Sequence, residues 1–363
     1  MPTLPSFVEI ILGILVLFGG GELFVAGSVA LSLLLGIPQI VIGLTVVSLG
    51  TSTPELFVSV LSTIQGDADL AVSNIVGSNI FNILVVLGAS AAIVPLRVRS
   101  RLVRRDVPLL LAVSMAVWGM ASGGRLTWQA GVALLFATVA NLIWEMRTAS
   151  EEPPEDEDAN EDERATPLVA AFKLAAGLAL LVLGSQLLVR GATTAAVALG
   201  VSQTVIGLTI VAAGTSMPEL VTSVVAAYRG KADLAIGNVV GSNLLNQIVI
   251  LGLCAVVAGG KGLAVDPVMV NRDLPIMVAT TLACLPIFWT NGVINRLEGW
   301  LLLGLYGLYL AEQVLVATSG GEVIDSFRFV VLVAVLPLLL VFLVWQVLRW
   351  KQQRKLLAVQ GGE

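Results

Sequence analysis

Two glutamates stand in matching positions inside long apolar segments, each directly after a proline. Glu55 ends the sequence Gly-Thr-Ser-Thr-Pro-Glu, and Glu219 ends the sequence Gly-Thr-Ser-Met-Pro-Glu, 164 residues further along the chain. A carboxylate within a membrane-spanning segment is costly and usually marks a functional site. Neither neighbouring sequence supplies a Lys or Arg to neutralise it. The pair therefore predicts a site that binds and transports cations.

The proline in each motif disrupts the helix that leads to the glutamate. Pro54 cannot donate a hydrogen bond to the carbonyl of Gly50, and its ring crowds the preceding turn. We therefore expect the carbonyls between Ser48 and Thr51 to lose their helical partners. A membrane protein tolerates such carbonyls only where they line a cavity or bind something. Carbonyl, hydroxyl and carboxylate oxygens together suit a hard cation such as Ca²⁺ or Na⁺.

The segment after each glutamate adds amide and hydroxyl groups. Ser78 and Asn82 are four residues apart in Gly-Ser-Asn-Ile-Phe-Asn, and Ser242 and Asn246 are four apart in Gly-Ser-Asn-Leu-Leu-Asn. Residues at this spacing lie on one face of a helix. Each half of the chain therefore supplies a carboxylate from a broken helix and a polar face from the next helix, and we expect these groups to converge on one central cage.

The composition is that of a polytopic helical membrane protein. The chain has 363 residues, of which 57% are hydrophobic and 12% charged, whereas a soluble domain has about 25% charged residues. The absence of histidine from the sequence excludes histidine metal sites and histidine proton relays. Because Cys254 and Cys284 lie inside apolar segments, they imply no disulfide framework.

An internal repeat organises the apolar segments. Residues 38–88 align with residues 202–252 without a gap, with 29 identities in 51 positions. Each repeat holds five segments long enough to span a membrane. Because five is odd, the second repeat should enter the membrane from the opposite side, which is typical of transporters with a site at the membrane midplane. The predicted spans lie near residues 8–34, 38–64, 70–94, 106–122, 126–146, 168–195, 202–228, 233–258, 273–289, 297–316 and 328–349.

The predicted fold is therefore an all-α polytopic membrane protein with two inverted five-helix repeats, ten core helices in all, and an eleventh C-terminal transmembrane helix. We assign residues 1–147 to the first repeat and residues 168–317 to the second. Residues 148–167 form an acidic linker, which we interpret as a solvated connector. Residues 318–363 hold the extra helix and a basic tail.

The basic residues predict the orientation in the membrane. Placing the N-terminus outside puts 15 of the 20 Lys and Arg in cytoplasmic segments, as the positive-inside rule requires. We expect a multi-pass protein of the cell (inner) membrane, with the acidic linker and the C-terminus in the cytoplasm. Its partners should be the lipid bilayer and the transported ions, with no nucleic acid. A monomer should suffice for function, and an oligomer remains open.

Three further acidic residues lie in or beside predicted spans. Asp69 and Asp233 open the third and eighth spans, where we expect them to be helix N-caps. Glu22 aligns with Gln186 in the other repeat, so a charge is not required at that place. We expect Glu22 to have a packing or gate-lining role.

Both glutamate segments resemble the two alpha-repeats of the sodium/calcium exchanger family, prokaryotic type, within the calcium:cation antiporter superfamily. The resemblance rests on the motifs Gly-Thr-Ser-x-Pro-Glu and Gly-Ser-Asn-x-x-Asn and covers both repeats. It implies ten core helices with the second and seventh broken, and first and sixth spans that slide as a gate pair. It also implies alternating exchange of Ca²⁺ and Na⁺ as transported ions, with no organic cofactor.

The resemblance also implies roles for individual residues. The implied Ca²⁺ ligands are Glu55 and Glu219, with the backbone carbonyls of Thr51 and Thr215. The implied Na⁺ ligands are the hydroxyls of Ser52, Ser78, Ser216 and Ser242, with the backbone carbonyls of Ser48 and Ala212. The amides of Asn82 and Asn246 complete the set. The family often has an aspartate where this chain has Asn246, so the cage here holds two carboxylates.

Other functions stay open at this point. A Ca²⁺/H⁺ exchanger is an alternative because carboxylates can carry protons, although a cage rich in hydroxyls and carbonyls favours Na⁺. A cation channel could use rings of Glu for selectivity, but a pair of inverted broken helices argues against it. The sequence contains no nucleophile–base pair or phosphate-binding loop, so it does not indicate an enzyme.

Overall fold

The computed structural model describes residues 4–149, 165–289 and 292–342, together with residues 344, 348, 349 and 352. Over these residues the chain has an all-helical polytopic membrane fold, as predicted. Eight of the described helices are long and apolar enough to cross a membrane, or nine if the bent pair Gln39–Thr51 and Thr53–Gln65 is one span. The count of ten core spans plus one stays a prediction, as do the bounds of the two repeats.

The first half of the chain contains six helices and two short strands. Most of the linker predicted between the two halves lies outside the described residues. In order, the elements are α1 Leu4–Leu35, α2 Gln39–Thr51, α3 Thr53–Gln65, α4 Ala68–Ile93, β1 Leu96–Arg97, α5 Val107–Ala121, β2 Arg125–Leu126 and α6 Trp128–Ala149.

The second half repeats this order and adds a helix at its end. Helix α8 consists of three consecutive pieces, Gln203–Ile206, Gly207–Val211 and Ala212–Gly214. The other elements are α7 Pro167–Ala198, α9 Met217–Tyr228, α10 Ala232–Val257, β3 Leu263–Ala264, α11 Met269–Trp289, β4 Val293–Ile294, α12 Arg296–Thr318 and α13 Gly321–Phe342.

The same residue types end and begin the helices around each break. Pro54 and Pro218 lie in the first turns of α3 and α9, where the missing N–H leaves no hydrogen bond unmade. Helices α3 and α9 are each followed within two residues by a glycine with positive φ, Gly66 at +86° and Gly230 at +74°. Glycine has no Cβ to clash in this conformation, so both halves turn sharply into α4 and α10.

Two antiparallel ribbons join the halves. Strand β1 pairs with β4, with Leu96 opposite Ile294, and β2 pairs with β3, with Leu126 opposite Leu263. Strand β1 follows α4, just as β3 follows α10 in the second half, yet these two equivalent strands lie in different ribbons. Paired loops must lie on the same side of a membrane, and the predicted single span between β1 and β2 would put the two ribbons on opposite sides. This pairing is the one that an inverted second repeat requires, and it supports that prediction.

Helices α4 and α10 form the centre of the bundle. In their most apolar windows, 72% and 78% of the residues are buried inside the protein. Helices α1 and α7 pack against each other along glycines that recur every seven residues. A Cβ added to Gly20 of α1 would lie 2.8 Å from the amide nitrogen of Leu181, and one added to Gly184 of α7 would lie 2.7 Å from that of Leu17. The two backbones therefore touch, as in small-residue helix pairs of membranes.

The N-cap prediction for the two aspartates is wrong. The N-cap of α4 is Asp67, whose side chain accepts a hydrogen bond from the backbone N–H of Leu70 at 3.0 Å. Asp233 instead forms an ion pair with Arg99, which lies in the loop after β1. The prediction failed because an aspartate two residues earlier takes the cap in one repeat and a distant arginine takes the carboxylate in the other.

Candidate cation site

Each broken helix changes direction at a serine. Ser52 separates α2 from α3, which meet at a bend of 49°, and its ψ of 8° departs from helical geometry. Ser216, with a ψ of 9°, occupies the same place before α9. A π-helical turn precedes each break, at Gly43–Val47 and at Gly207–Val211. Such turns alter the hydrogen-bond ladder and often occur at functional sites.

The serine of each break contacts the glutamate of the other break. Ser216 Oγ donates a hydrogen bond to Glu55 Oε1 at 2.8 Å, and Ser52 Oγ donates one to Glu219 Oε1 at 2.9 Å. Both glutamates are 0% exposed. These two reciprocal hydrogen bonds bring the predicted carboxylates of both repeats and the serine hydroxyls of both breaks together in the centre of the fold.

A serine from α4 extends the first of these contacts. Ser78 Oγ lies 3.0 Å from Ser216 Oγ and 3.5 Å from Glu55 Oε1. The equivalent serine on α10, Ser242, is fully buried, and its hydroxyl has no hydrogen-bond partner in the part of the chain that the structure describes. The two halves of the cage are therefore similar but not identical.

An asparagine of α10 fastens the first break to the second. The hydroxyl of Thr51 donates to Asn238 Oδ1 at 3.1 Å. The amide of Asn238 donates to the backbone carbonyl of Glu219 at 3.3 Å and to Ser223 Oγ at 2.9 Å. One side chain thus holds the end of α2 and the first turns of α9 together.

Asn74 of α4 makes the equivalent contacts, which join the end of the second break to the first turns of α3. Its Oδ1 accepts a hydrogen bond from Thr215 Oγ1 at 3.4 Å. Its amide donates to Ser59 Oγ at 3.0 Å and to the backbone carbonyl of Glu55 at 3.5 Å. The sequence predicts Asn74 and Asn238 as repeated amide groups on the helices after the glutamates, but it does not predict these contacts or the two serines that they reach.

Several buried polar atoms of the predicted ligand residues have no partner among the described residues. Buried polar groups are nearly always hydrogen-bonded, so these unsatisfied atoms are available to a ligand. Since oxygen atoms of carboxylates, hydroxyls and amides dominate this set, its chemistry fits Ca²⁺ or Na⁺. The unsatisfied atoms are Glu55 Oε2, Glu219 Oε2, Ser242 Oγ and both amide atoms of Asn82 and Asn246.

Backbone carbonyls of the turn before the first break already accept hydrogen bonds within the chain. The carbonyl of Ser48 accepts a hydrogen bond from the backbone N–H of Ser52 at 3.0 Å, and that of Leu49 accepts one from Thr53 Oγ1 at 3.0 Å. The expectation that the carbonyls of this turn lose their helical partners is therefore wrong for Ser48, whereas the bond that the structure shows at Leu49 comes from a side chain. The chain satisfies them locally, because the bend follows Thr51. Ser48 is buried, whereas its equivalent Ala212 is exposed.

The two broken helices are packed differently. A Cβ at Gly43 of α2 would lie 2.9 Å from the carbonyl oxygen of Leu234 on α10, so these helices are in backbone contact. At the equivalent glycine of α8, Gly207, an added Cβ would meet no atom of the described residues within 4 Å. Accordingly, Val47 of α2 is 0% exposed and its equivalent Val211 of α8 is 49% exposed. This face of α2 is therefore covered by α10, whereas the equivalent face of α8 is exposed.

Glu22 lies on α1, outside the cage. Its carboxylate forms an ion pair with Arg229, which follows α9. Gln186, its equivalent on α7, and Gln65, the equivalent of Arg229 at the end of α3, are both uncharged. The ion pair is therefore a feature of one half alone.

Known proteins show the same sequence pattern and the same fold. The sequence profile of the family described as "Sodium/calcium exchanger protein" matches residues 5–145 and 169–315. The chain is similar to the putative antiporter CaxA of Alkalimonas amylolytica, with 38% identity over 83% of this chain and 96% of that protein. It is also similar to the sodium/calcium exchanger MaX1 of Methanosarcina acetivorans, with 31% identity over 84% of this chain and 97% of that protein.

A solved structure extends the similarity to three dimensions. The sodium-calcium exchanger NCX_Mj, soaked with Na⁺ and Sr²⁺, superposes with a TM-score of 0.73 and 30% sequence identity. The match covers 86% of this chain and 99% of that one. The resemblance inferred from the two glutamate motifs is confirmed: the chain belongs to the sodium/calcium exchanger family, and is a transmembrane antiporter of ions rather than an enzyme.

Proposed function

We propose that the chain exchanges Na⁺ for Ca²⁺ across the membrane by alternating access around the cage of Glu55 and Glu219. The observation that carries the proposal is the pair of reciprocal hydrogen bonds, Ser216 to Glu55 and Ser52 to Glu219. Each carboxylate is held by the break of the other repeat, so a movement of either broken helix changes both halves of the site.

The charge of the cage matches the proposed ions. Two carboxylates supply a charge of −2, which one Ca²⁺ neutralises, and which Na⁺ ions can neutralise in its place. Burial makes such neutralisation necessary, because an uncompensated charge in a low-dielectric interior is expensive. Competition for the same carboxylates would then couple the two ions. The relatives whose names include sodium and calcium support this choice.

The proposed ligands follow the sequence prediction. For Ca²⁺ they are the carboxylates of Glu55 and Glu219 and the backbone carbonyls of Thr51 and Thr215. For Na⁺ they are the hydroxyls of Ser52, Ser78, Ser216 and Ser242, the carbonyls of Ser48 and Ala212, and the amides of Asn82 and Asn246.

Alternating access is supported by the unequal packing of the two broken helices. Helices α2 and α8 have related sequences, yet one is in backbone contact with α10 and the other is uncovered. An element with two discrete arrangements can switch between them. We propose that α8 closes on α4 while α2 opens from α10, so that the cage faces the two sides of the membrane in turn.

We further propose two inverted repeats of five spans, with α13 as the eleventh span, in a protein of the cell membrane that acts as a monomer. The N-terminus would lie outside, and the acidic linker and C-terminus in the cytoplasm. In this orientation the face of α2 that packs on α10 lies toward the cytoplasm, and the exposed face of α8 lies toward the outside. The strand pairing of the two ribbons supports the inversion.

Flux in vesicles tests the coupling. The purified chain is reconstituted into vesicles loaded with Ca²⁺, and either a Na⁺ gradient or a pH gradient is imposed. We expect a Na⁺ gradient to drive Ca²⁺ against its own gradient and a pH gradient to drive none. Ca²⁺ movement driven by the pH gradient alone would identify a Ca²⁺/H⁺ exchanger. Ca²⁺ movement that follows only its own gradient would identify a channel.

A further inference from the structure

Helix α1 covers one face of α9, whereas the equivalent face of α3 is exposed. A Cβ added to Gly21 of α1 would lie 2.9 Å from Val221 Cγ1 and 3.3 Å from Val225 Cγ2 of α9. Val221 and Val225 are accordingly buried, at 7% and 3% exposure. Their equivalents on α3, Phe57 and Leu61, are 70% and 54% exposed. The pair of helices α1 and α7 therefore packs differently against the two repeats.

An ion pair joins α1 to the end of α9 beside this contact. Glu22 follows Gly21 in α1, and its carboxylate pairs with the guanidinium of Arg229, the first residue after α9. Asp233, in the first turn of α10, pairs with Arg99. The turn that carries Arg229 is therefore itself joined to the loop after β1, and the charges on it hold α1 in place over α9.

The location of Glu22 gives this ion pair its importance. Ion pairs that are exposed to water contribute little to stability. Glu22, however, lies inside the candidate membrane span Pro5–Leu35, where a charged side chain without a partner is costly. A movement of α1 away from Arg229 would separate the two charges and leave the carboxylate in apolar surroundings. The ion pair therefore favours the arrangement in which α1 covers α9.

The equivalent positions in the other half carry no charge. Gln186 of α7 corresponds to Glu22, and Gln65 at the end of α3 corresponds to Arg229. Because the two repeats have related sequences, the opposite arrangement would place α7 over α3 and bring Gln186 close to Gln65. Two neutral amides do not provide the attraction between opposite charges. The two arrangements therefore differ in free energy by the contribution of the Glu22–Arg229 ion pair.

We propose that the Glu22–Arg229 ion pair is a latch that biases the chain toward the arrangement described here, with α1 over α9 and α2 closed on α10. Release of the latch frees the α1–α7 pair to move toward α3, and this movement accompanies the opening of α2. The latch rests on the alternating access proposed above, and it sets which of the two arrangements is preferred. It does not depend on which cations the cage binds.

Cross-linking in vesicles detects the opposite arrangement directly. Gln65→Cys and Gln186→Cys are introduced together into the full-length chain, whose native Cys254 and Cys284 are buried, and a short bismaleimide is added. Adding Glu22→Gln should speed cross-linking roughly ten-fold, which corresponds to about 1.4 kcal/mol of lost preference. Equal rates with and without Glu22→Gln would overturn the latch but not the alternation of the two helices. The absence of a cross-link from both proteins would contradict the alternation and the latch together.

Two matched variants distinguish the latch from a general charge effect. Glu22→Arg combined with Arg229→Glu re-forms the ion pair with its charges exchanged, and should return cross-linking to the slow parental rate. Glu9→Gln removes a different ion pair of α1, which joins it to Arg190 of α7 at 3.3 Å and so lies within the α1–α7 pair. It should leave the rate unchanged. An equal rise in Glu9→Gln, or a fast rate in the folded charge-exchange variant, would contradict a specific latch.

Moving the latch to the other half gives the converse test. In the mirrored variant, Glu22→Gln and Arg229→Gln remove the native ion pair, while Gln186→Glu and Gln65→Arg build one between α7 and α3. Val47→Cys, at a position that is fully buried beside α10, reports on the opening of α2. Its reaction with a water-soluble thiol reagent should be slowest in the parent, faster without the latch and fastest in the mirrored variant. Equal rates in all three, or the reverse order, would overturn the proposal.

Discussion

Ser52 donates a hydrogen bond to Glu219 across the two repeats, at 2.9 Å, while its neighbour Thr53 donates to the carbonyl of Leu49 in the last turn of the preceding helix α2. Adjacent hydroxyls in the same motif thus have different roles. The hydroxyl of Ser52 joins the two halves of the cage, and the hydroxyl of Thr53 makes a hydrogen bond to a backbone carbonyl beside the bend. This difference cannot be read from residue type alone, since both residues belong to one Thr-Ser-Thr cluster.

Ser52→Ala and Thr53→Ala form a matched pair. Ser52→Ala removes a proposed Na⁺ ligand and the hydrogen bond to Glu219. Loss of a hydrogen bond to a buried charged group costs about 1.5–3 kcal/mol of stabilisation. We expect roughly ten-fold weaker activation of Ca²⁺ exchange by Na⁺ in Ser52→Ala, since 1.4 kcal/mol corresponds to ten-fold. Thr53→Ala should leave the Na⁺ dependence unchanged. Measurement of Ca²⁺ flux against Na⁺ concentration decides between them, and equal curves for all three proteins would exclude Ser52 from the Na⁺ sites.

Gly241 and Gly77 provide a second pair that the repeat makes equivalent. A Cβ at Gly241 of α10 would lie 2.6 Å from the carbonyl oxygen of Leu44, whereas one at Gly77 of α4 would meet nothing within 4 Å. Overpacking of this kind costs about 1–3 kcal/mol. Gly241→Ala should therefore open the contact between α2 and α10, and Gly77→Ala should leave that contact intact while impairing the opposite closed state.

Thiol labelling separates these two outcomes. A cysteine introduced at Val47, which is fully buried beside α10, should react faster with a water-soluble thiol reagent in Gly241→Ala than in the parent. In Gly77→Ala its reactivity should stay low, although exchange slows. The native Cys254 and Cys284 are buried and provide the baseline. Unchanged reactivity in both variants would contradict the assignment of this contact as the closed gate.

Asn246 is fully buried, and neither the oxygen nor the nitrogen of its amide has a hydrogen-bond partner among the residues that the structure describes. A carboxylate at this place would join two others, and crowding of like charges favours the protonated form of such a group. Asn imitates that neutral acid without a proton to lose. We expect Asn246→Asp to stay folded and active, and to add a pH dependence to exchange. Na⁺-driven Ca²⁺ flux across a pH series should differ between the two proteins, and superimposable profiles would place residue 246 outside the charge balance.

Arg125 and Lys261 should lie on the same side of the membrane. Strands β2 and β3 pair beside them, and Arg125 donates to the backbone carbonyl of Lys261 at 2.9 Å. Topology reporters near Lys261 should therefore indicate the outside, whereas reporters within residues 151–163 and after Glu363 should indicate the cytoplasm. A reporter near Lys261 on the same side as the linker would contradict the inverted repeat.

The sequence predicted that the two glutamates lie close together, but it did not predict the hydrogen bonds that position them. Glu55 and Glu219 could be identified because buried carboxylates without cations are rare, and because the repeat places them in equivalent frames. The contacts of Asn74 and Asn238 depend on how α4 and α10 cross the opposite breaks, which no local pattern encodes. The unequal packing of Val47 and Val211 was also beyond prediction, since related sequences occupy two different environments.

The amount of Ca²⁺ bound per chain, measured by equilibrium dialysis at increasing Na⁺, tests the central claim most directly. The two buried carboxylates predict one Ca²⁺ per chain, displaced completely by Na⁺. Glu55→Gln and Glu219→Gln should each abolish this binding and Ca²⁺ exchange while the protein stays folded, because one remaining carboxylate cannot compensate the dehydration of a divalent ion. Ca²⁺ that stays bound at high Na⁺, or that binds normally to either folded variant, would contradict the account.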